Sequence, residues 1–199
     1  MTVAFSVELY QGSIRRLCRG LKAVVFLADG FEECEALIVV DLLRRAGIET
    51  VMASVMNQLE VDSSRHIKVM ADVLATEVYY DDVDLIFLPG GRLGTENLLK
   101  SDLVKEICCK YAKRKYIAAI CAAPSILASL GLLEGKTATC HPDYEEKMQG
   151  AILTRQSVTT CDNIITGQGL GSSFPFAFEI IRQFIGEEKV EKIKRGICY

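Results

Sequence analysis

The chain has no tryptophan, four prolines, two histidines, no Cys-x-x-Cys pair and no large excess of charge of either sign. Each shortage removes a class of function. Its 23 basic residues face 26 acidic ones, a formal net charge of −3, so there is no cationic footprint for a polyanion and nucleic acid is not expected as the main partner. His66 and His141 are the only imidazoles, and Cys140 adjoins His141 in a geometry poorly suited to one tetrahedral ion, so no metal site is expected. The longest uncharged stretch, Tyr116–Leu133, has nearly the length of a membrane span, but Pro124 and Gly131 interrupt it and no membrane association is expected. No secretory leader with an apolar core opens the chain, so the eight cysteines are expected as reduced thiols of a cytoplasmic protein.

What is present is one domain's worth of apolar material: 199 residues, half of them hydrophobic, with a mean hydropathy of +0.22. Met1–Gly20 differs in character, mixing polar and apolar residues with Arg15, Arg16 and Arg19. It reads as a separate N-terminal extension: a docking arm, a disordered tail, an alternative start or a targeting leader. Residues 21–199 read as the domain. Short apolar runs alternate there with amphipathic segments. Strands are expected over Lys22–Leu27, Ile48–Ser54, Asp84–Leu88, Tyr116–Ile120, Thr137–Thr139, Val158–Cys161 and Ile164–Thr166, with a hairpin around Leu59–Met70. Helices are expected over Cys34–Ala46, stopped by Gly47, and over Asp102–Arg114, Ala122–Leu130, Ser172–Ile185 and Glu187–Arg195. Such alternation predicts an α/β three-layer sandwich with a mostly parallel, doubly wound sheet of flavodoxin-like layout. Ligands collect at the carboxyl ends of strands in these sheets, which brings Ala28–Cys34, Pro89–Gly94 and Ile120–Pro124 to one edge.

Three segments at that edge can carry chemistry. In Ala118–Pro124 a strand hands over to a helix at Cys121, between small residues that let the backbone pass through a strained turn, the pattern of a nucleophile elbow. A helix starting there favours thiolate over thiol, although the segment alone reads equally as an ordinary buried cysteine. In Leu88–Gly94, Gly90 and Gly91 end a buried strand and can turn N–H groups inward as an oxyanion hole, or simply make a tight turn. In Gly30–Glu35, Glu32 and Glu33 read as solvent-facing complements of a helix dipole, whereas Glu35 lies on the side that the apolar face continues.

In this order and spacing the segments resemble the ThiJ/PfpI superfamily, and within it the protein deglycase branch, over about Leu21 to Gly186. The acidic run before Cys34, the Arg44–Gly47 helix end, Leu88–Gly91, Ala119–Pro124 and Gly169–Phe174 carry the likeness. The resemblance implies that Cys121 is the reactive thiol, Glu35 the carboxyl touching it, and Gly91 with Ala122 the oxyanion donors. It implies further that His141 is a nearby histidine, that Arg65 lies near the anion site of the oxidised cysteine, and that the protein is a homodimer. Ala122 departs from the protease-like branch, where a histidine follows the nucleophile, so peptidase activity is disfavoured. An amidotransferase reading lacks its distal His–Glu pair. Gly167–Gly171 lacks the Gly-Lys-Ser/Thr of a nucleotide loop.

A thiol beside a carboxyl is expected to hold one proton between them, the thiol pKa moved down and the carboxyl pKa moved up. The expected function is cofactor-independent chemistry on small dicarbonyls such as methylglyoxal and glyoxal, or on early glycated protein adducts. A redox-responsive chaperone or sensor built on the same oxidisable cysteine is the competing class.

Overall fold

In the computed structural model, residues 20–199 are described. The extension Met1–Gly20 therefore lies, apart from Gly20, outside the described residues. Seven strands form the main sheet: β1 Lys22–Leu27, β2 Glu49–Ser54, β5 Val73–Leu74, β6 Leu85–Leu88, β7 Tyr116–Ile120, β10 Val158–Cys161 and β11 Ile164–Gly167. Their order is β10-β11-β7-β6-β1-β2-β5, with every neighbouring pair parallel except β10 and β11. The central strands KAVVFL and LIFL are almost wholly buried, as a sheet covered on both faces requires.

Alternate residues of each strand feed two cores. Val25, Leu27, Phe87, Ala118 and Ile120 face α1 (Glu33–Ala46), α5 (Ser173–Phe184) and α6 (Glu187–Gly196). Val24, Phe26, Ile86, Leu88 and Ala119 face the other way, towards α2 (Arg92–Lys100), α3 (Asp102–Tyr111) and α4 (Pro124–Ser129). The three-layer, mostly parallel arrangement expected from the sequence is the one observed. From β1 the chain moves to β2 on one side and later returns to β6 on the other, so the order in which strands are added reverses between β1 and β6, the place where such a sheet opens a crevice.

Three local expectations need correction, and one is met. Thr137–Ala138 is a strand, β8, but it pairs with β9 (Ile152–Leu153) outside the main sheet. The hairpin expected around Leu59–Met70 is observed, as two short antiparallel strands, β3 Glu60–Asp62 and β4 Lys68–Met70. The α3 helix stops at Tyr111, whose carbonyl then accepts the N–H groups of both Arg114 and Lys115. The α2 helix was not expected at all. Its Gly94 reads as turn material but lies inside the helix because a Cβ there would stand 2.6 Å from the Phe31 Cα. No helix among the described residues is long and apolar enough to cross a membrane.

Candidate active site

Strands β7, β6 and β1 are neighbours, so the loops leaving their carboxyl ends meet. At the end of β7, Cys121 adopts φ 64°, a left-handed conformation that costs a non-glycine residue about 1–2 kcal/mol. It is held from both sides: its N–H donates to Gly167 O (2.9 Å) and its carbonyl accepts the His141 N–H (2.9 Å). Ala122 and Ala123 are buried, and Pro124 opens α4, where no N–H is needed. That helix begins three residues after the cysteine and has only six residues, which leaves little macrodipole to act on the sulfur. Direct donors act instead, since the N–H groups of Gly91 and Ala122 both face the sulfur and lower its pKa.

At the end of β1, α1 begins with an unusual exchange of duties. Glu32 is the N-cap, and its carboxylate accepts the Glu35 N–H at 2.6 Å. The Glu32 N–H donates to Gly90 O (2.9 Å), so Glu35 is not needed to reach back and complete a capping box. The Glu35 side chain is free to turn inward. It is 1% exposed, accepts the Gly90 N–H at 2.9 Å and hydrogen-bonds Cys121.

Gly90 corrects the expectation that it donates to an oxyanion, because its N–H is engaged by Glu35. Its missing side chain matters more. A Cβ there would lie 2.5 Å from Glu35 Oε2 and 2.6 Å from the Cys121 Cβ, wedging carboxyl and thiol apart. Gly91 meets a different demand: φ is 89°, and a Cβ would stand 2.3 Å from Gly30 O.

Burial pushes the Glu35 carboxyl up to about 7; the Glu32 charge adds to the rise, and the Cys121 and Gly90 hydrogen bonds oppose it. Burial, then the Glu35 charge and hydrogen bond, push the Cys121 thiol up to about 12 against the pull of Gly91 and Ala122. The expected lowering of the thiol is therefore corrected while Glu35 is ionised. Together the two groups release one proton near neutrality and hold the second far into the alkaline range, so the pair carries one negative charge at pH 8.

The surrounding cleft, about 700 Å³, is also lined by Arg65, His141, Ser157 and the Gln168–Ser172 turn. His141 caps the short helix Pro142–Lys147, and its Nδ1 accepts the Asp143 N–H at 3.2 Å, which places the proton of a neutral ring on Nε2. The Arg65 guanidinium donates to Ser64 O at 3.2 Å. Glu33 corrects its solvent-facing expectation: it is 5% exposed, and Ser64 Oγ donates to it at 3.0 Å. Burial raises its pKa, but its own N–H, the Ser64 and Ser63 hydroxyls and the Arg65 N–H outweigh burial and hold it below the usual range. Glu32 as the cap and Ser157 as a wall were missed from the sequence: Glu32 is not among the residue types that usually cap a helix, although its contact is only three residues away, and Ser157 reaches the cleft only through the fold. No cluster of three or more metal-binding side chains occurs among the described residues.

The sequence signature described as the DJ-1/PfpI family matches residues 21–183. A Parkinson disease protein 7 homolog of Danio rerio is 38% identical over 180 residues, covering 88% of this chain and 95% of that protein. The glutathione-independent glyoxalase DJR-1.2 of Caenorhabditis elegans is 29% identical over 170 residues, covering 84% and 90%. Among solved structures, oxidized DJ-1 of Toxoplasma gondii superposes with a TM-score of 0.87 at 34% identity, covering 90% of this chain and 99% of that one. With the family signature over residues 21–183 and relatives that match nearly the whole domain in sequence and in fold, the chain belongs to the DJ-1/PfpI family.

Proposed function

We infer that the protein is a cofactor-independent cysteine enzyme that converts small α-oxoaldehydes such as methylglyoxal to 2-hydroxy acids. The observation that carries this reading is the Cys121–Glu35 pair, buried together beneath two N–H donors at an open cleft. In the microstate with the charge on sulfur, the protonated Glu35 hydrogen-bonds the thiolate. The sulfur adds to the aldehyde carbon, and the oxygen that becomes negative is met by the N–H groups of Gly91 and Ala122. Glu35 gives its proton to that oxygen, forming a hemithioacetal, and is left as a carboxylate. The carboxylate removes the hydrogen from the carbon bearing sulfur and returns it to the neighbouring carbon, while the hydroxyl proton passes from the first oxygen to the second, which turns the hemithioacetal into a thioester. Water hydrolyses the thioester, releasing lactate and the thiol. Methylglyoxal plus water equals lactate, so no outside oxidant or reductant enters. The name of the Caenorhabditis elegans relative supports this substrate class. Early glycated adducts of proteins present the same carbonyl carbon and fall within the same reading.

Lactate formation from methylglyoxal by the purified chain tests it, with Cys121→Ala beside the wild type. The variant is expected to lose turnover by on the order of 10³-fold or more. Equal rates in the two would contradict the reading. Redox sensing is a second reading, favoured by the relative solved in oxidized form. It predicts peroxide-dependent suppression of aggregation by protein that turns over no dicarbonyl. A homodimer belongs to the same proposal and predicts a sedimenting species of twice 22.0 kDa.

A further inference from the structure

Beside the thiol cleft a second cavity of about 460 Å³ opens between the β1–α1 turn, the first turn of α2 and the loop joining β3 to β4. Arg65 lines both cavities. Arg92 lines the second one and directly follows Gly91, whose N–H faces the Cys121 sulfur. Consecutive Cα atoms are about 3.8 Å apart, so the chain steps from oxyanion donor to cation in one residue.

Arg65 and Arg92, like Arg114 and Arg195, differ from the four other described arginines. Arg44, Arg45, Arg155 and Arg182 each hold a carboxylate, at 2.7 Å for Arg44 and 2.9 Å for Arg155. Among the described residues Arg65 and Arg92 make no such pair; Arg65 donates to its neighbour's carbonyl, Ser64 O. Two carboxylates also line the cavity, but they are engaged away from the arginines. Asp29 Oδ1 accepts the Asp62 N–H (2.9 Å), and Asp62 Oδ2 faces His66 Nδ1 (3.4 Å). The remaining Asp62 oxygen, Oδ1, is buried with no hydrogen-bond partner among the described residues. Sealed from solvent, that oxygen is out of reach of a ligand in the cavity. The cavity thus offers two guanidinium groups without a salt-bridged carboxylate among the described residues, Arg65 also feeling the Glu32 charge, next to a thiol whose proposed substrate needs little of the combined space.

We propose that this cavity is a specificity subsite for the anionic far end of an α-oxoaldehyde, a phosphate or carboxylate held between Arg65 and Arg92. Planar guanidinium groups suit either anion through paired N–H donors. The proposal deepens the dicarbonyl reading and rests on it for the reacting end, while the binding of the anionic end stands by itself.

Two measurements on the purified full chain keep these apart. Calorimetry with glycerol 3-phosphate and with glycerate, unreactive probes that carry the anion and hydroxyls without a carbonyl, reads the subsite alone. Binding of one or both to the wild type is expected, weakened roughly 10-fold or more by Arg92→Gln and less by Arg92→Lys, and the stronger probe identifies the head group. The same Arg92→Gln change is expected to lower kcat/KM for 3-phosphooxy-2-oxopropanal or 4,5-dioxopentanoate by a similar factor and to leave methylglyoxal unchanged. Absence of binding by both probes, or binding that Arg92→Gln does not alter, overturns the subsite whatever the turnover. Probe binding that depends on Arg92, in a protein that turns over no dicarbonyl, upholds the anion site and overturns the dicarbonyl reading.

Discussion

Glu33 and Glu35 lie two residues apart on the first turn of α1, both almost fully buried, yet one faces the hairpin loop and the other the elbow. On the hairpin side, serine hydroxyls and N–H groups surround Glu33 and keep it ionised below the usual range. On the elbow side, Glu35 has one backbone donor and a thiol, and burial carries it up to about 7. Glu35 lies deeper under the loops than Glu33 and meets fewer donors, so the same residue type becomes a proton carrier at one position and a structural anchor at the other. Two thiols repeat the lesson. Cys108, in the core of α3, is pushed up to about 12 by burial and then by Cys109, whereas Cys121 reaches about 12 partly through the Glu35 charge. Only the second is adjustable by its neighbour.

The largest test of the contrast is kinetic. Glu35→Gln should reduce turnover of methylglyoxal by on the order of 10²-fold or more with the circular-dichroism spectrum unchanged, while Glu33→Gln leaves kcat within about 3-fold. Similar losses in both variants would erase the distinction. Gly90→Ala attacks only the elbow side by inserting a methyl between carboxyl and thiol. A fall in kcat of roughly 10–100-fold is expected, since displacements near 1 Å are that costly in a reacting pair. Wild-type rates in that variant would show that the close approach at Gly90 is dispensable.

Stability gives the smaller effects, with opposite signs. The folded Glu35 pKa is raised from 4.5 to about 7, so both states are protonated at lower pH and only the unfolded chain ionises between these values. Stability is lost as pH rises through that window, by on the order of 3 kcal/mol, and Glu35→Gln should recover much of it above pH 7. Glu33 is depressed, so its contribution is present above the ordinary 4.5 and disappears as pH falls through the folded value. Glu33→Gln should cost about 1–3 kcal/mol at pH 7 and little in acid. Urea unfolding of the three proteins between pH 4 and 8 reads both curves, and parallel curves would refute the assignment.

Local pattern made much of this architecture legible. The apolar period of α1 and its stop at Gly47, which sits at φ 85°, were readable to within a residue. The strand, small residues and proline around Cys121 announced the elbow. Partners distant in the chain were not readable. Gly94 sits in a helix for the sake of Phe31, Glu33 is anchored by serines about thirty positions later, and Gly90 is small because Glu35 and Cys121 converge on it. The direction of the thiol shift was missed for a related reason: the sequence displays a helix start, while its shortness and the Glu35 charge emerge only in three dimensions.

The central claim is that Cys121 and Glu35 titrate as one unit holding a single negative charge near neutrality. It is tested most directly by the rate of iodoacetamide alkylation at Cys121, mapped by peptide mass spectrometry from pH 5 to 10 in wild type and Glu35→Gln. The account predicts a wild-type inflection near 7 that moves away from 7 in the variant, with Cys108 unlabelled in both. Superimposable Cys121 profiles for the two proteins would contradict it.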